Sequence, residues 1–393
     1  MDASFLSSLR HQPVVRMKRS EMWGNGGAVS PVFRQRAGTP STELPINFFQ
    51  HIAEIVSLDS SRSHVRSPTR NAGRTVDPSI ARCNTGAWRI RMSSLGTVLV
   101  YCAAGAQGSA IVRTLLAAGA AARVLLRPGT PNAFGDAVDV VRGDVADREQ
   151  LRLANLGVDK VVLTLPTIPD RAKSVELGRN AIDAAKAAGV KLIVFNEGGP
   201  VPAAPTGVGL IDARIEVEAH LRASGIPAML IRPTVYMDNI AAWSAAAIAS
   251  EGVFAYPLPT NCRASWISLK DLAAFVVEAL KHPELAGRSY SIGGPDILTG
   301  TEIAALLSTS VGRSVSYVSV PLADFAAGIN SAYRNTMGDE IAAYYAWVAK
   351  QPASPLVVDL ASVLADLPVR LMRFPDWAKA QDWQAIASRT KAA

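Results

Sequence analysis

The sequence predicts an α/β fold, a doubly wound parallel sheet with a smaller α/β C-terminal lobe. Three observations lead there. A short apolar run over residues 97–102 passes through a glycine-punctuated turn into a helical apolar pattern at Ile111, Val112, Leu115 and Leu116. Apolar runs then alternate with helical patterns as far as Pro233, as a parallel sheet covered on both faces requires. The chain has 393 residues and is 49% hydrophobic, enough to bury a core of one large or two ordinary domains.

Residues 1–91 mix Arg, Ser, Pro and Asn with little periodicity beyond an apolar patch at 44–58, and read as a disordered extension. Met92 lies five residues before the first strand, which fits an upstream start. The Arg and Ser content fits a targeting segment instead, although Asp2, Glu21 and Glu43 weigh against it. This segment holds 13 of the 40 Lys and Arg and 6 of the 33 Asp and Glu, so the remaining residues carry 27 of each and the net +7 lies in the extension. The basic balance is therefore no sign of a nucleic-acid-binding fold.

From residue 97 the elements follow in order. Residues 122–127 form strand two; 138–143 form strand three, leading into Asp144 and a helix near 148–153; 160–165 form strand four, stopped by Pro166. Asp170 caps a helix whose Val175, Gly178, Ile182 and Ala185 recur at helical spacing, and Gly189 ends it before strand five at 191–195. A helix at 211–223 precedes strand six at 228–231. Beyond Pro233 the pattern loosens into helices near 238–249 and 272–280, strands near 265–267 and 289–292, and helices starting at Thr301, Asp339 and Pro375. The expected division is a nucleotide-binding domain over 92–235, with a return strand near 287–292, and a smaller substrate-binding lobe over 236–393.

Cys83, Cys102 and Cys262 are too few and too scattered for a disulfide framework or a zinc site, which fits a reducing, cytoplasmic setting. No run of about 18 uncharged apolar residues exists to span a bilayer. No metal-ligand spacing, nucleophile elbow or basic groove-binding helix appears.

The chemistry starts at Cys102-x-x-Gly105-x-x-Gly108, a Rossmann-type dinucleotide fingerprint whose first glycine is replaced. Gly105, Ala106, Gln107 and Gly108 are placed to offer backbone N–H groups to a pyrophosphate at the helix N-terminus. A negative φ would accommodate Cys102; its thiol is either a buried filler or a redox-sensitive group beside the cofactor. About twenty residues past Gly108, where an acid would bind the ribose 2′-hydroxyl of NAD, stands Arg127, which favours NADP(H) over NAD(H).

TVLVYCAAGAQG, VLLRPG, VVRGDVADREQL, DARIEVEAHLRASGIP and LIRPTVYMDN, in this order and spacing, resemble the NmrA-like family of atypical short-chain dehydrogenase/reductases over about residues 96–320. In that family's usual Gly-Ala-Thr-Gly-x-Gln-Gly, Cys102 replaces the first glycine and Ala104 the threonine, with Ala103 between them. The resemblance implies cofactor contact along Cys102 to Gly108, 2′-phosphate contact at Arg127, adenine contact at Asp144 and Val145, and nicotinamide-side contact at Thr164, Leu165 and Pro166. It further implies that a loop of Tyr236, Met237, Asp238 and Asn239 closes over nicotinamide and substrate.

The tyrosine and lysine that short-chain dehydrogenases use as proton donor and its partner are here Leu210 and Arg214. A missing general acid typically forfeits about 10² to 10⁴ in rate, so carbonyl reduction by the standard route is not expected. Leu210, Arg214, Val217 and Leu221 share one helical face, which turns Arg214 inward, either to the site or into a salt bridge with Glu197 or Asp212. Arg214, Glu197 and Tyr236 are the catalytic candidates: Glu197 relays protons, is solvated in its loop or pairs with Arg214, and Tyr236 and Trp243 line a pocket or fill core. His220 is expected to be exposed, and Lys270-Asp271 to mark a helix start.

Two functions compete. One is an NADPH-dependent oxidoreductase acting on a small electrophile such as a quinone or conjugated carbonyl. The other is a non-catalytic NADP-binding redox sensor that engages a partner protein. A cofactor-free scaffold is the third reading, motivated by Cys102.

Overall fold

The computed structural model describes residues 95–391, so the expectations for residues 1–91 and for Cys83 lie outside the described residues. Six strands open the fold: β1 (Thr97–Val100), β2 (Ala121–Leu126), β3 (Asp139–Arg142), β4 (Lys160–Thr164), β5 (Leu192–Asn196) and β6 (Ala228–Pro233). They pair in parallel, and the strand Ser289–Ile292 adds to β6, giving the order Ser289–Ile292, β6, β5, β4, β1, β2, β3. Chain order reverses between β1 and β4, which is where an open α/β sheet leaves a crevice at its carboxyl edge.

Helices α1 (Ala106–Ala117), α2 (Arg148–Asn155), α3 (Arg171–Ala187) and α4 (Gly209–Ser224) fill the crossovers. Alternation within β1 sends Val98 and Val100 to one face, against Ile111, Val112 and Leu115 of α1 and Phe275 and Val276 of the helix Leu269–Lys281. Leu99 and Tyr101 go to the other, against Ile182 of α3 and Val217 and Leu221 of α4. Side chains secure the helix starts: Asp147 accepts from the N–H groups of Glu149 and Gln150, and Asp170 from that of Lys173.

A further core belongs to the C-terminal elements. The strands Val235–Tyr236, Ala264–Ile267 and Ile297–Leu298 form one small sheet, and Val253–Tyr256 pairs in parallel with Ser316–Ser319. Tyr256 packs its ring on Trp243, Phe254, Trp266 and Tyr345. The strands at 253–256 and 316–319 and the helix Leu322–Tyr333 have no counterpart in the periodicity reading. Each strand is four residues long, too short for alternation to show before its distant partner is known.

Several boundaries move. β1 stops at Val100 rather than Cys102, because residues 101–104 turn. The helix expected over 238–249 is two, Asp238–Trp243 and Ala245–Glu251, divided at Ser244, whose hydroxyl donates to Ala255 O at 2.9 Å. Among the described residues no helix is long and apolar enough to cross a membrane.

Candidate functional site

The turn after β1 is shaped by two close approaches. Cys102 takes φ 52°, the left-handed region, and not the negative φ expected of a non-glycine residue there. An L side chain in that region costs about 1–2 kcal/mol. Gly108 stands over the same turn: a Cβ on it would lie 2.2 Å from Cys102 O and 2.9 Å from Ala103 Cα. Only glycine lets the first turn of α1 sit against the end of β1.

Unlike α2 and α3, α1 has no side-chain cap, and it has no acidic residue in its first turn to offset its dipole. Its leading N–H groups and the positive end of its dipole are left for a ligand. Ala104, Gly105 and Ala106 are exposed there. This cradle fits the pyrophosphate of a dinucleotide, as the glycine spacing predicts.

The ends of β1, β2 and β3 bring Cys102, Arg127 and Asp144 into one electrostatic group. Burial pushes the Cys102 thiol up to about 11, with Arg127 pulling it down and Asp144 pushing it further up. The thiol thus stays protonated at neutral pH, which disfavours a role as a reactive thiolate. Arg127 is exposed and makes no side-chain hydrogen bond among the described residues. Arg142, which the sequence reading passed over, steadies the following loop by donating to the carbonyls of Arg127 and Thr130. Asp144 accepts from Ala146 N–H at 2.8 Å, and Val145 beside it is half-buried.

Gln107 is the hub of the crevice. Its Oε1 accepts from Asn196 Nδ2 at 2.6 Å and from the Tyr236 hydroxyl at 3.1 Å. Asn196 also reaches Thr164 Oγ1 at 3.4 Å and accepts from Gly198 N–H at 3.2 Å. One network thereby ties the start of α1 and the ends of β4 and β5 to Tyr236, with Leu165 and Pro166 half-buried beside it. Burial holds the Tyr236 phenol far above its ordinary range, against the pull of Arg214. It can donate a hydrogen bond but does not ionise.

Arg214 does turn inward, yet neither expected ion pair forms. Glu197 is buried, not a solvated loop residue, and its Oε2 accepts from Arg232 Nε at 2.6 Å. Asp212 accepts from Thr206 and Gly207 and pairs with Arg171. The Arg214 guanidinium instead lies against the Gly198–Gly199 turn, and a Cβ on Gly199 would fall 2.7 Å from Nη1. That Nη1 is buried without a hydrogen-bond partner among the described residues. Its neighbours are Tyr344, Glu197 and Tyr236. Tyr344, from the helix Met337–Ala349, carried no signal in sequence. The same helix supplies Glu340, which accepts from Leu210 N–H at 2.9 Å and caps α4.

Residues 236–239 do not form a loop. Tyr236 is in a strand, with Met237 N–H bonded to Ile267 O at 2.9 Å, and Met237 is fully buried in the C-terminal core. Asp238 caps the helix Leu269–Lys281 by accepting from Leu269 N–H at 2.9 Å, while Asn239 donates to the Tyr256 hydroxyl at 3.3 Å. Trp243 stacks on Tyr256 in the core. His220 is half-buried and bonded to Asp183, where exposure was expected. Asp271 is buried and accepts from Met372 N–H at 2.9 Å, more than a helix-start preference. Short-range patterns cannot separate such caps and core positions from ligand contacts.

No group of three metal-ligating side chains occurs among the described residues. Two cavities lie off the crevice. One of 580 Å³ is bordered by Arg288, Tyr290, Val363 and Asp366; another of 340 Å³ is bordered by Pro202, Glu218, Arg222 and Arg232.

Comparison with known proteins gives the chain's relatives. The sequence model of the NmrA-like family matches residues 94–377. An NAD(P)H azoreductase of Xenophilus azovorans is 35% identical over 57% of this chain and 77% of its own. Quinone oxidoreductase 2 of Escherichia coli is 34% identical over 49% of this chain and 66% of its own. The crystal structure of the E. coli NADPH-dependent quinone oxidoreductase complexed with NADPH superposes with TM-score 0.61 and 26% identity, covering 72% of this chain and 98% of that one.

Proposed function

Since the chain belongs to the NmrA-like family, we propose that it is an NADPH-dependent oxidoreductase acting on a small electrophile such as a quinone or a conjugated carbonyl. The observation that carries this reading is the uncapped start of α1, held against β1 by Gly108 and flanked by the free guanidinium of Arg127. The reductases named among its relatives support it.

In this reading the backbone from Cys102 to Gly108 holds the pyrophosphate, Arg127 the 2′-phosphate, and Asp144 and Val145 the adenine side. Thr164, Leu165 and Pro166 border the nicotinamide. The bound cofactor supplies a hydride. Leu210 offers no proton, and Tyr236 keeps its own, so acceptors whose reduced oxygen survives as an anion suit this site best. Arg214, with a buried and unused N–H, is placed to hold that oxygen. Gln107 fixes the Tyr236 hydroxyl and Asn196, and so the shape of the crevice. A reducing compartment belongs to the same reading, Cys102 and Cys262 being free thiols.

The test is NADPH oxidation with a panel of quinones and enones. We expect turnover above that of heat-denatured protein. Tight NADPH binding with no turnover on any acceptor favours a cofactor sensor that binds a partner protein; absence of binding removes both.

A further inference from the structure

Two buried polar atoms beside the Gly198–Gly199 turn lack a hydrogen-bond partner among the described residues, Glu197 Oε1 and Arg214 Nη1. They bear opposite charges and lie close enough to influence each other's ionisation, yet no ion pair joins them. The reason lies in what holds each side chain elsewhere. Glu197 Oε2 is bound to Arg232 Nε at 2.6 Å, and Arg232 is shared with Glu218 at 2.5 Å. Arg214 is seated on Gly199, where the missing Cβ leaves room for its Nη1.

Leaving an atom of a buried charged group unsatisfied is expensive. Two such orphans with opposite charge have two ways out: they join each other, or Glu197 takes a proton and Arg214 keeps its N–H for a ligand. We propose that Glu197 is a positioning residue whose protonation decides whether Arg214 turns its free Nη1 toward Glu197 or toward an anionic oxygen of the bound ligand. This rests on the reading that Arg214 faces the substrate. It adds that the substrate is of the class whose oxygen becomes anionic on reduction, and that the protonated form of Glu197 is the competent one.

The groups facing this pair are few. Arg232 comes from β6, Glu218 from α4, Tyr236 from the small sheet and Tyr344 from the helix Met337–Ala349. Both tyrosines are held neutral by burial. Arg232 and Glu218 form a fixed pair, leaving Glu197 as the group that titrates near neutrality: burial lifts it to about 7, with Arg232 and Arg214 opposing and Glu218 assisting. Arg232 and Glu218, which flank Glu197, form part of the wall of the 340 Å³ cavity.

The experiment has two readouts on the full chain, wild type against Glu197→Gln and Glu197→Asp. The first is the Arg214 Nε–Hε resonance of the ligand-free protein, assigned through Arg214→Lys and followed with pH. The proposal requires it to move with a midpoint near neutrality in wild type, to stay put in the glutamine protein, and to move again in the aspartate protein. The second is kcat/KM for NADPH and a naphthoquinone, expected to drop about tenfold between about pH 6 and about pH 8 in wild type, as a single carboxyl titrating near 7 dictates, and to stay flat in the glutamine protein. A resonance that ignores pH, or moves alike in the glutamine protein, overturns the coupling. No turnover in wild type with a resonance that follows Glu197 overturns the reductase reading and with it the ligand side of the proposal, while upholding the coupling.

Discussion

Replacing Glu197 with glutamine tests the energetics of that carboxyl without reference to any ligand. Burial lifts it from an ordinary 4.5 to about 7, which at about 1.4 kcal/mol per pH unit corresponds to roughly 3 kcal/mol. The sign follows from the direction. The folded protein holds this proton more tightly than the unfolded chain, so the stability it contributes is complete below about pH 4.5 and is lost as pH rises through about 7. Glutamine mimics the protonated acid, can still accept from Arg232, and cannot ionise. The two proteins should therefore unfold at similar urea concentrations near pH 4.5, and by about pH 8 the glutamine protein should be the more stable by roughly 3 kcal/mol. Urea midpoints at both pH values, with slopes compared, measure this. If the glutamine protein loses stability with rising pH as steeply as wild type, the slope belongs to another group and the account of Glu197 is wrong.

Three further outcomes are expected. Gly108→Ala gains about 1 kcal/mol in helix propensity, but its Cβ meets backbone atoms that cannot move aside, which costs about 1–3 kcal/mol or more; it should destabilise and weaken NADPH binding, read by denaturant unfolding and calorimetry. Arg127→Ala should cost NADPH about 10- to 100-fold in affinity, the equivalent of one charge-assisted bond, and leave NADH binding nearly unchanged; equal affinity of the wild type for both cofactors would count against Arg127. Cys102→Gly removes a left-handed side chain and should raise the free energy of unfolding by about 1 kcal/mol, less whatever the half-buried thiol contributes; a loss of several kcal/mol would show that the thiol's packing outweighs the backbone strain.

Reading along the chain reached the turn after β1 more surely than the surroundings of Arg214. Gly105, Gly108 and Arg127 are legible because the backbone requirement of a phosphate turn, and the distance from it to the next strand end, are short-range properties. Gln107 joins Tyr236 across 129 positions and Asn196 across 89, and no local spacing encodes such meetings. Glu197 and Arg214 were recognised as neighbours, but their expected pairing failed because Arg232, at the end of an adjacent strand, already holds Glu197.

The sequence by itself determined the parallel sheet and its helices, since alternation, helical spacing and caps such as Asp147 and Asp170 act within one turn or strand. It also determined that a glycine-dependent turn follows β1. Only the tertiary structure decided that Met237 fills core while Tyr236 reaches the crevice, that Cys102 adopts a left-handed conformation beneath Gly108, and that the helix bearing Tyr344 and Glu340 closes on α4. Those outcomes depend on which surfaces meet, and a buried carboxyl or guanidinium acquires its chemistry from the partners that folding brings to it or denies it.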